Sequence, residues 1–527
     1  MKKFLSLFAV GVLASVPLVL PFAQRASAAT GSYYDWVSRD YNGTELNSDA
    51  GEIRQGVSSD GRYVVFTSAA TDVVPNDTNG YTDLFMRDRQ TDTTTRISVS
   101  STGQEANNDS FGGLDAAVSG DGRYVVFQSR ASNLVSGDTN NQDDVFLRDT
   151  QAGTTTRICG DYAFGCGGPA ISRDGRYVTY TMSNPFSYGN VGQLFRYDIT
   201  TGDRQIVSYT DQNGAGNQFT PPGSHLSSDG RYVVFNSYAN NLVAGDTNNK
   251  LDIFRRDMQT GDIVLVSTDS SGVQANGDSQ WPTVSDDGRY VEFTTTASNF
   301  ATNDPTNWDL FVKDTTQGTL QLVGGKLNNA QFAVITGDGT QVVFETPTSM
   351  TSSDTNSVRD VYSWNRTTGV NTRFSDFLDK PAYQGYDAAF GGTSIDGKYT
   401  GLSTVAPLDP SDTQNRDIYI HAIDTVRPTV TFTAPASFAG PFPTGPTVTV
   451  TASDSDSGLK TLVIHVYTST NQLLNICGTA TPAQLAAGTM SCDLSSLPNG
   501  TYYIKAGAFD VAGNNRTINS GNFVIGQ

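Results

Sequence analysis

The sequence predicts an all-β protein, a seven-bladed β-propeller followed by an immunoglobulin-like β-sandwich, and three observations carry that prediction. An Asp-Gly turn recurs at Asp60-Gly61, Asp121-Gly122, Asp174-Gly175, Asp229-Gly230, Asp287-Gly288, Asp338-Gly339 and Asp396-Gly397, spaced 51 to 61 residues apart. Each turn precedes a strand such as RYVVF, then a polar loop, a strand such as DLFMRD or DIFRRD, and a fourth segment such as TTTRISVS. From Arg427 the composition changes to alternating Pro, Thr and Val, as in RPTVTFTAP and PTVTVTASDSDSG.

Residues 1–28 read as a secretory leader, because the apolar run Phe4 to Phe22 follows Lys2-Lys3 and precedes the small-residue site Ala26-Ser27-Ala28. No later stretch is apolar enough to span a bilayer, so no membrane span is expected after cleavage. Cleavage would take the formal charge from -19 to about -22, because the leader carries Lys2, Lys3 and Arg25 and no acid. A surface so acidic repels phosphate backbones, which argues against nucleic acid as a partner. The four cysteines fall as two close pairs, Cys159 with Cys166 and Cys477 with Cys492. In an exported chain these read as two local disulfides.

Residues 33–425 hold the propeller. Four short strands per unit, with unbroken apolar runs, suit blades whose sheets are buried on both faces by their neighbours. The seventh unit runs into TVRPTV without a fourth strand, while the segment YYDWVSRDYNGTELN from Tyr33 matches the fourth-strand region TRISVSSTGQEAN. The mature amino terminus is therefore expected to complete the last blade and remove the open edge where the chain ends meet. Residues 426–527 hold the sandwich, with alternating strands split by Gly and Pro turns. Cys477 and Cys492 are too near in sequence for the inter-sheet bridge of antibody domains and are expected to pin a loop.

SSDGRYVVF and its copies resemble the TolB-type, WD-like propeller repeat of bacterial exported proteins, over roughly Tyr33 to Asp424. The variant with ASNLVSGDTNN before DVFLRD is similar to a subset found in extracellular bacterial proteins. ASDSDSG and AFDVAGN are similar to the ends of bacterial immunoglobulin-like modules. The resemblance implies a fold and an exported setting; propellers host many unrelated tasks. The third unit departs from the pattern, with SNPFSYGNVGQLFRYD in place of the acidic loop.

The loops between second and third strands repeat an oxygen-rich pattern: Asp77, Asn79 and Asp83; Asp138, Asn140 and Asp144; Asp246, Asn248 and Asp252; Asp354, Asn356 and Asp360. Alternating side-chain oxygens followed by another carboxylate suit calcium, which takes six or more hard ligands. The same residue types also cap turns through their own backbone and launch the next strand. The fifth unit shortens the spacing (Asp304, Thr306, Asp309), as does the seventh at Gln414.

These loops are expected on one face of the disc together with the blade-to-blade connections, and the Asp-Gly turns on the other with the third-to-fourth turns. The connections carry Phe111, Phe219, Trp281, Tyr383 and Tyr386, aromatics amid polar residues that suit capture of a sugar or peptide, or that fill space between blades. Arg62, Arg123, Arg176, Arg231 and Arg289, with Lys398, follow the Asp-Gly turns and are expected to pair with nearby carboxylates.

Catalytic signatures are scarce. His225, His421 and His465 sit in different units, which argues against a histidine-rich metal centre, and no G-x-S-x-G elbow occurs. The expected function is that of a secreted, extracellular or cell-surface, non-enzymatic and monomeric protein whose propeller face recognises an extracellular glycan or protein. Two rivals remain at this level: a polysaccharide-active enzyme using channel carboxylates, and a surface scaffold component.

Overall fold

A computed structural model describes residues 26–27 and 32–526, except 52, 160–164, 183–191, 211–213, 301–307, 326, 328–329, 331, 384, 409–411, 413–414, 425–426, 440, 455–457, 475–476 and 513. At 26–27, 112–115, 379, 381 and 515 it describes the backbone alone. The expected leader falls almost wholly outside these residues, as do Asp304, Thr306 and Gln414.

The chain is all-β, with short exceptions such as the single-turn helix Pro482–Ala486. A repeated set of local hydrogen bonds explains why the Asp-Gly segments turn. In the first unit the Ser58 hydroxyl donates to Asp60 Oδ1 at 2.7 Å, the same oxygen accepts from the Arg62 amide, and the Tyr63 amide donates to Ser58 Oγ. The second unit repeats the set with Ser119, Asp121, Arg123 and Tyr124. The glycine that closes each turn lies at φ between 65 and 73°, a region that costs a side chain dearly.

Each turn launches a six-residue strand that pairs antiparallel with the next, as Tyr63–Ser68 does with Asp83–Asp88 and Tyr124–Ser129 with Asp144–Asp149. Both faces of these strands are buried, which is why their apolar residues run on instead of alternating. A stacked aromatic pair sits at the same place in successive sheets: Phe66 with Phe85, Phe127 with Phe146, Tyr180 with Phe195, Phe235 with Phe254.

Contacts pass from each unit to the next and return to the first. A Cβ on Gly122 would lie 2.1 Å from the Tyr63 ring, so this turn can approach only as glycine. The same approach recurs between Tyr124 and Gly175, Tyr177 and Gly230, Tyr232 and Gly288, and Tyr290 and Gly339, and Tyr399 of the last unit packs on Gly61 of the first. The ends of the chain meet in one sheet, where Ser32–Trp36 pairs antiparallel with Asp417–Ile423, Trp36 opposite Tyr419. The sheets are those of a β-propeller.

One departure concerns the first unit, whose innermost strand is split: Ala50–Gly51 pairs within its own sheet, and Ile53–Gln55 crosses over to lie parallel to Ser110–Val118 of the second. The two expected faces are as placed. The third-to-fourth turn meets the Asp-Gly turn through the Arg89 amide and the Arg62 carbonyl (2.9 Å), and Asn79 reaches the blade-to-blade connection at the Ala106 carbonyl (3.0 Å).

Beyond Ile423 two further sheets form. One contains Thr429–Ala434, Thr447–Ser453 and Thr489–Asp493; the other is built on the long pair Leu459–Thr468 and Gly500–Asp510. Val448, Val450, Leu462, Ile464, Ile504 and Ala506 bury a common core between them. Both disulfides form: Cys159 with Cys166 and Cys477 with Cys492, the latter tying the segment after Leu473–Leu474 to the strand Thr489–Asp493. Among the described residues no helix is long and apolar enough to cross a membrane.

Candidate functional site

One position recurs in the innermost segments of the units. It lies four residues before the Ser or Thr that opens the turn box, and it is Arg54, Gly168, Gly223, Trp281, Phe332 and Phe390 in units one and three to seven. At this level the third and fifth innermost strands slip register by a bulge, between Gly167 and Ala170 and between Gln280 and Thr283. The bulge residue needs positive φ. In the third unit Gly168 supplies it, at φ 59°, with no steric cost, but the fifth unit places Trp281 there, at φ 53°.

The Trp281 ring lies 5.0 Å from Phe332 and 6.3 Å from Trp308, and the Arg54 guanidinium sits 5.2 Å from the Phe332 centroid. Arg54, in the first unit, reaches the sixth to donate to the Ala333 carbonyl at 2.7 Å. A small cavity beside this aromatic shelf is lined by Arg54, Gln55, Gly168, Gly223, Ser224 and Thr283.

Fully buried Glu292 lies behind Thr283, whose hydroxyl donates to Glu292 Oε2 at 2.8 Å. Burial pushes the Glu292 carboxyl up to about 8, against the opposing pull of Arg54. Burial likewise brings Arg54 down to about 10, opposed by Glu292 and Glu345. His225 is brought down to about 3, by burial first and then by Arg173 and Arg54, and its Nδ1 accepts from the Val284 amide at 3.4 Å. At neutral pH this region therefore holds the Arg54 cation and, near His225, that of Arg173, with a neutral imidazole and hydroxyls beside an aromatic shelf. Glu345 is engaged on both oxygens, by Arg359 at 3.2 Å and by the Phe390 amide at 2.7 Å.

The oxygen-rich loops are built around arginine in three units. Arg96, from the fourth strand, reaches Asp77 at 3.2 Å, Glu105 at 2.6 Å and Asp83 at 3.8 Å. Arg157 reaches Asp138 and Asp144 at 3.1 and 3.2 Å, and Arg373 reaches Asp360 and Asp354 at 2.8 and 3.7 Å. Asn79 and Asn140 each donate to the following aspartate, Asp83 and Asp144, and each caps its own turn, as Asn356 does at Val358. In the fourth unit Leu265 stands where the arginine would be; Asp246 receives Gln274, Asn248 donates to the Ala275 carbonyl, and Asp252 receives Ser267.

The aromatics singled out in the connections have different surroundings. Trp281 joins the aromatic shelf, with Trp308 and Phe332, which sequence reasoning missed; the offset from the turn box would have found Phe332. Phe219 is exposed beside Gly192, and Phe111 lies under the Arg130 guanidinium, 5.0 Å away. Tyr383 packs against Phe377 and, with Tyr386, borders the core beneath the closing sheet. The arginines after the Asp-Gly turns pair as expected, Arg62 with Asp88, Arg123 with Asp149, Arg176 with Asp198, Arg231 with Asp257 and Arg289 with Asp314, each guanidinium also lying over the next tyrosine.

Burial raises several carboxyls of these networks: Asp144, Asp252 and Asp360 each to about 6. A carboxyl whose folded pKa lies above its unfolded value binds its proton more tightly when folded, so stability falls as pH climbs from the unfolded to the folded pKa. With Glu292, the window runs from about pH 4 to about pH 8. Asp88 and Asp257, lowered to about 2 despite burial by their arginines and turn amides, act in the opposite sense only below about pH 4. The melting temperature in chelator-treated buffer is therefore expected to be several degrees higher near pH 5 than near pH 8; a rise across that interval would show these acids to be neutralised by other means.

No family model matches the chain, and no curated protein matches it. Among solved structures it is similar to TolB from Acinetobacter baumannii, at 12% identity over 69% of this chain and 80% of that one, with a TM-score of 0.34. A second, the putative TolB from Agrobacterium tumefaciens, is 17% identical over 52% of this chain and 80% of its own, with a TM-score of 0.33. A prolyl endopeptidase structure is 13% identical over 90% of this chain and 62% of its own, with a TM-score of 0.43.

Proposed function

We propose that this chain is an exported, non-catalytic recognition protein. In this reading a seven-bladed propeller (33–425) presents its channel to an extracellular glycan, and an immunoglobulin-like sandwich (426–527) serves as spacer or second contact. The observation that carries the reading is Trp281. A tryptophan held in the left-handed region costs on the order of 1 kcal/mol or more, and the third unit meets the same backbone demand with Gly168. Retaining the strain makes sense where the indole is used. Tilted against Phe332 beside the Arg54 guanidinium, it suits the apolar face of a sugar ring with a hydrogen-bond donor at its edge.

Trp281→Gly tests this on a glycan and peptide array. Relief of backbone strain offsets part of the lost ring packing, so the melting temperature is expected to move by only a few degrees while glycan capture falls at least tenfold. Undiminished capture would exclude the shelf. The polysaccharide-active alternative draws on Glu292, an acid held protonated near neutral pH. New reducing ends that appear with the native protein and vanish in Glu292→Gln would favour it.

A further inference from the structure

The sheet that joins the two ends of the chain repeats the acidic constellation of the first unit with its cation removed. Asp417 opens its strand as Asp83 does, and each accepts from a serine two residues past the end of the fourth strand, Ser38 at 2.6 Å and Ser98 at 2.5 Å. Glu45 corresponds to Glu105, through the bridges Arg39–Glu45 and Val99–Glu105. Asp412 accepts from the Tyr419 hydroxyl at 2.8 Å, as Asp354 accepts from Tyr362. One carboxylate oxygen from each of Glu45, Asp412 and Asp417 lies within 4.8 Å of the others.

In the first unit Arg96, opposite Phe85, bridges all three acids. In the closing sheet the residue opposite Tyr419 is Trp36, which stacks on the Tyr419 ring instead. Neighbouring cations point elsewhere: Arg39 pairs with Asp92 and Arg416 with Asp387. Asp417 is fully buried; Ser38 serves its Oδ1 and the Trp36 indole lies near the carboxyl, but its Oδ2 has no hydrogen bond of good geometry among the described residues. A buried carboxylate oxygen among other carboxylates, where sister units place a guanidinium, calls for a positive charge.

The geometry points to a divalent cation site formed by Glu45, Asp412 and Asp417, in which calcium replaces the guanidinium and staples the amino-terminal strand to the last one. Three hard oxygen donors from separate segments fit calcium better than a softer metal. Because Glu45 lies near the start of the chain and Asp417 near the end of the ring, binding would stabilise closure itself.

The full mature chain, stripped with chelator, provides the test. Calcium is expected to raise its melting temperature by several degrees, and terbium to give emission sensitised by Trp36 and Tyr419 that calcium competes away. Asp417→Asn should abolish both. Trp36→Arg restores the arrangement of the first unit and should remove the calcium response while raising the melting point in chelator; it decides the matter if Asp417→Asn does not fold. A native protein indifferent to calcium, or a calcium response unchanged in both variants, would overturn the site.

Discussion

Deleting residues 29–37 is expected to abolish cooperative folding of the chain. The lost strand buries Tyr33, Tyr34, Trp36 and Val37, all at 6% exposure or less. At about 2 kcal/mol per side chain this approaches 8 kcal/mol, comparable to the whole stability of an ordinary domain. Hydrogen bonding is lost as well: the Tyr34 hydroxyl reaches the Phe374 carbonyl at 2.6 Å and Asp376 at 2.5 Å, and the Val37 amide donates to the Ile418 carbonyl at 2.8 Å. Removal exposes the unpaired edge of Asp417–Ile423, an invitation to self-association. Thermal melts and sedimentation read the outcome, and a synthetic peptide spanning residues 29–41 should restore the melt by adding back the strand. A truncated chain that melts as the native one does would mean that the ring holds without its clasp.

That clasp was legible in the sequence because the signal is local and repeated. The Ser58, Asp60 and Arg62 hydrogen bonds close within a few residues, so each copy announces its own turn, and a missing fourth strand stands out against complete units. The Arg62 to Asp88 pair is legible for the same reason, since a short antiparallel pairing brings its partners together.

What escaped depends on register between distant strands. Arg96 ends the run TTTR and looks like a polar strand residue; only the pairing of Phe85 with Arg96 shows it turned into the loop of Asp77. Trp36 reads as a core aromatic until its position opposite Tyr419 reveals that it occupies an arginine's place. Trp281 attracted attention as an aromatic in a connection, but its strain could not be inferred from residue type. It emerges only when the units are aligned on the turn serine and Gly168 appears at the matching position of the third.

Replacing Arg96 by methionine should cost about 3–5 kcal/mol near neutral pH, because it leaves Asp77, Asp83 and Glu105 facing one another without their cation. Burial already raises Asp77 to about 6 even with Arg96 opposing, and burial raises Asp83 in the same direction. Without the guanidinium both carboxyls hold their protons to higher pH. Folded pKa values above the unfolded ones mean that stability is recovered as pH falls, so the deficit of Arg96→Met should shrink markedly between about pH 7 and about pH 5. The double variant Arg96→Met with Asp83→Asn should recover part of it at neutral pH, since one of the stranded charges is gone. Arg96→Met alone also recreates in the first unit the three acids of the closing sheet, so calcium should narrow its deficit at pH 7 and chelator restore it. A loss of stability independent of pH and of calcium would mean that Arg96 serves by filling space, and that charge balance does not organise these loops.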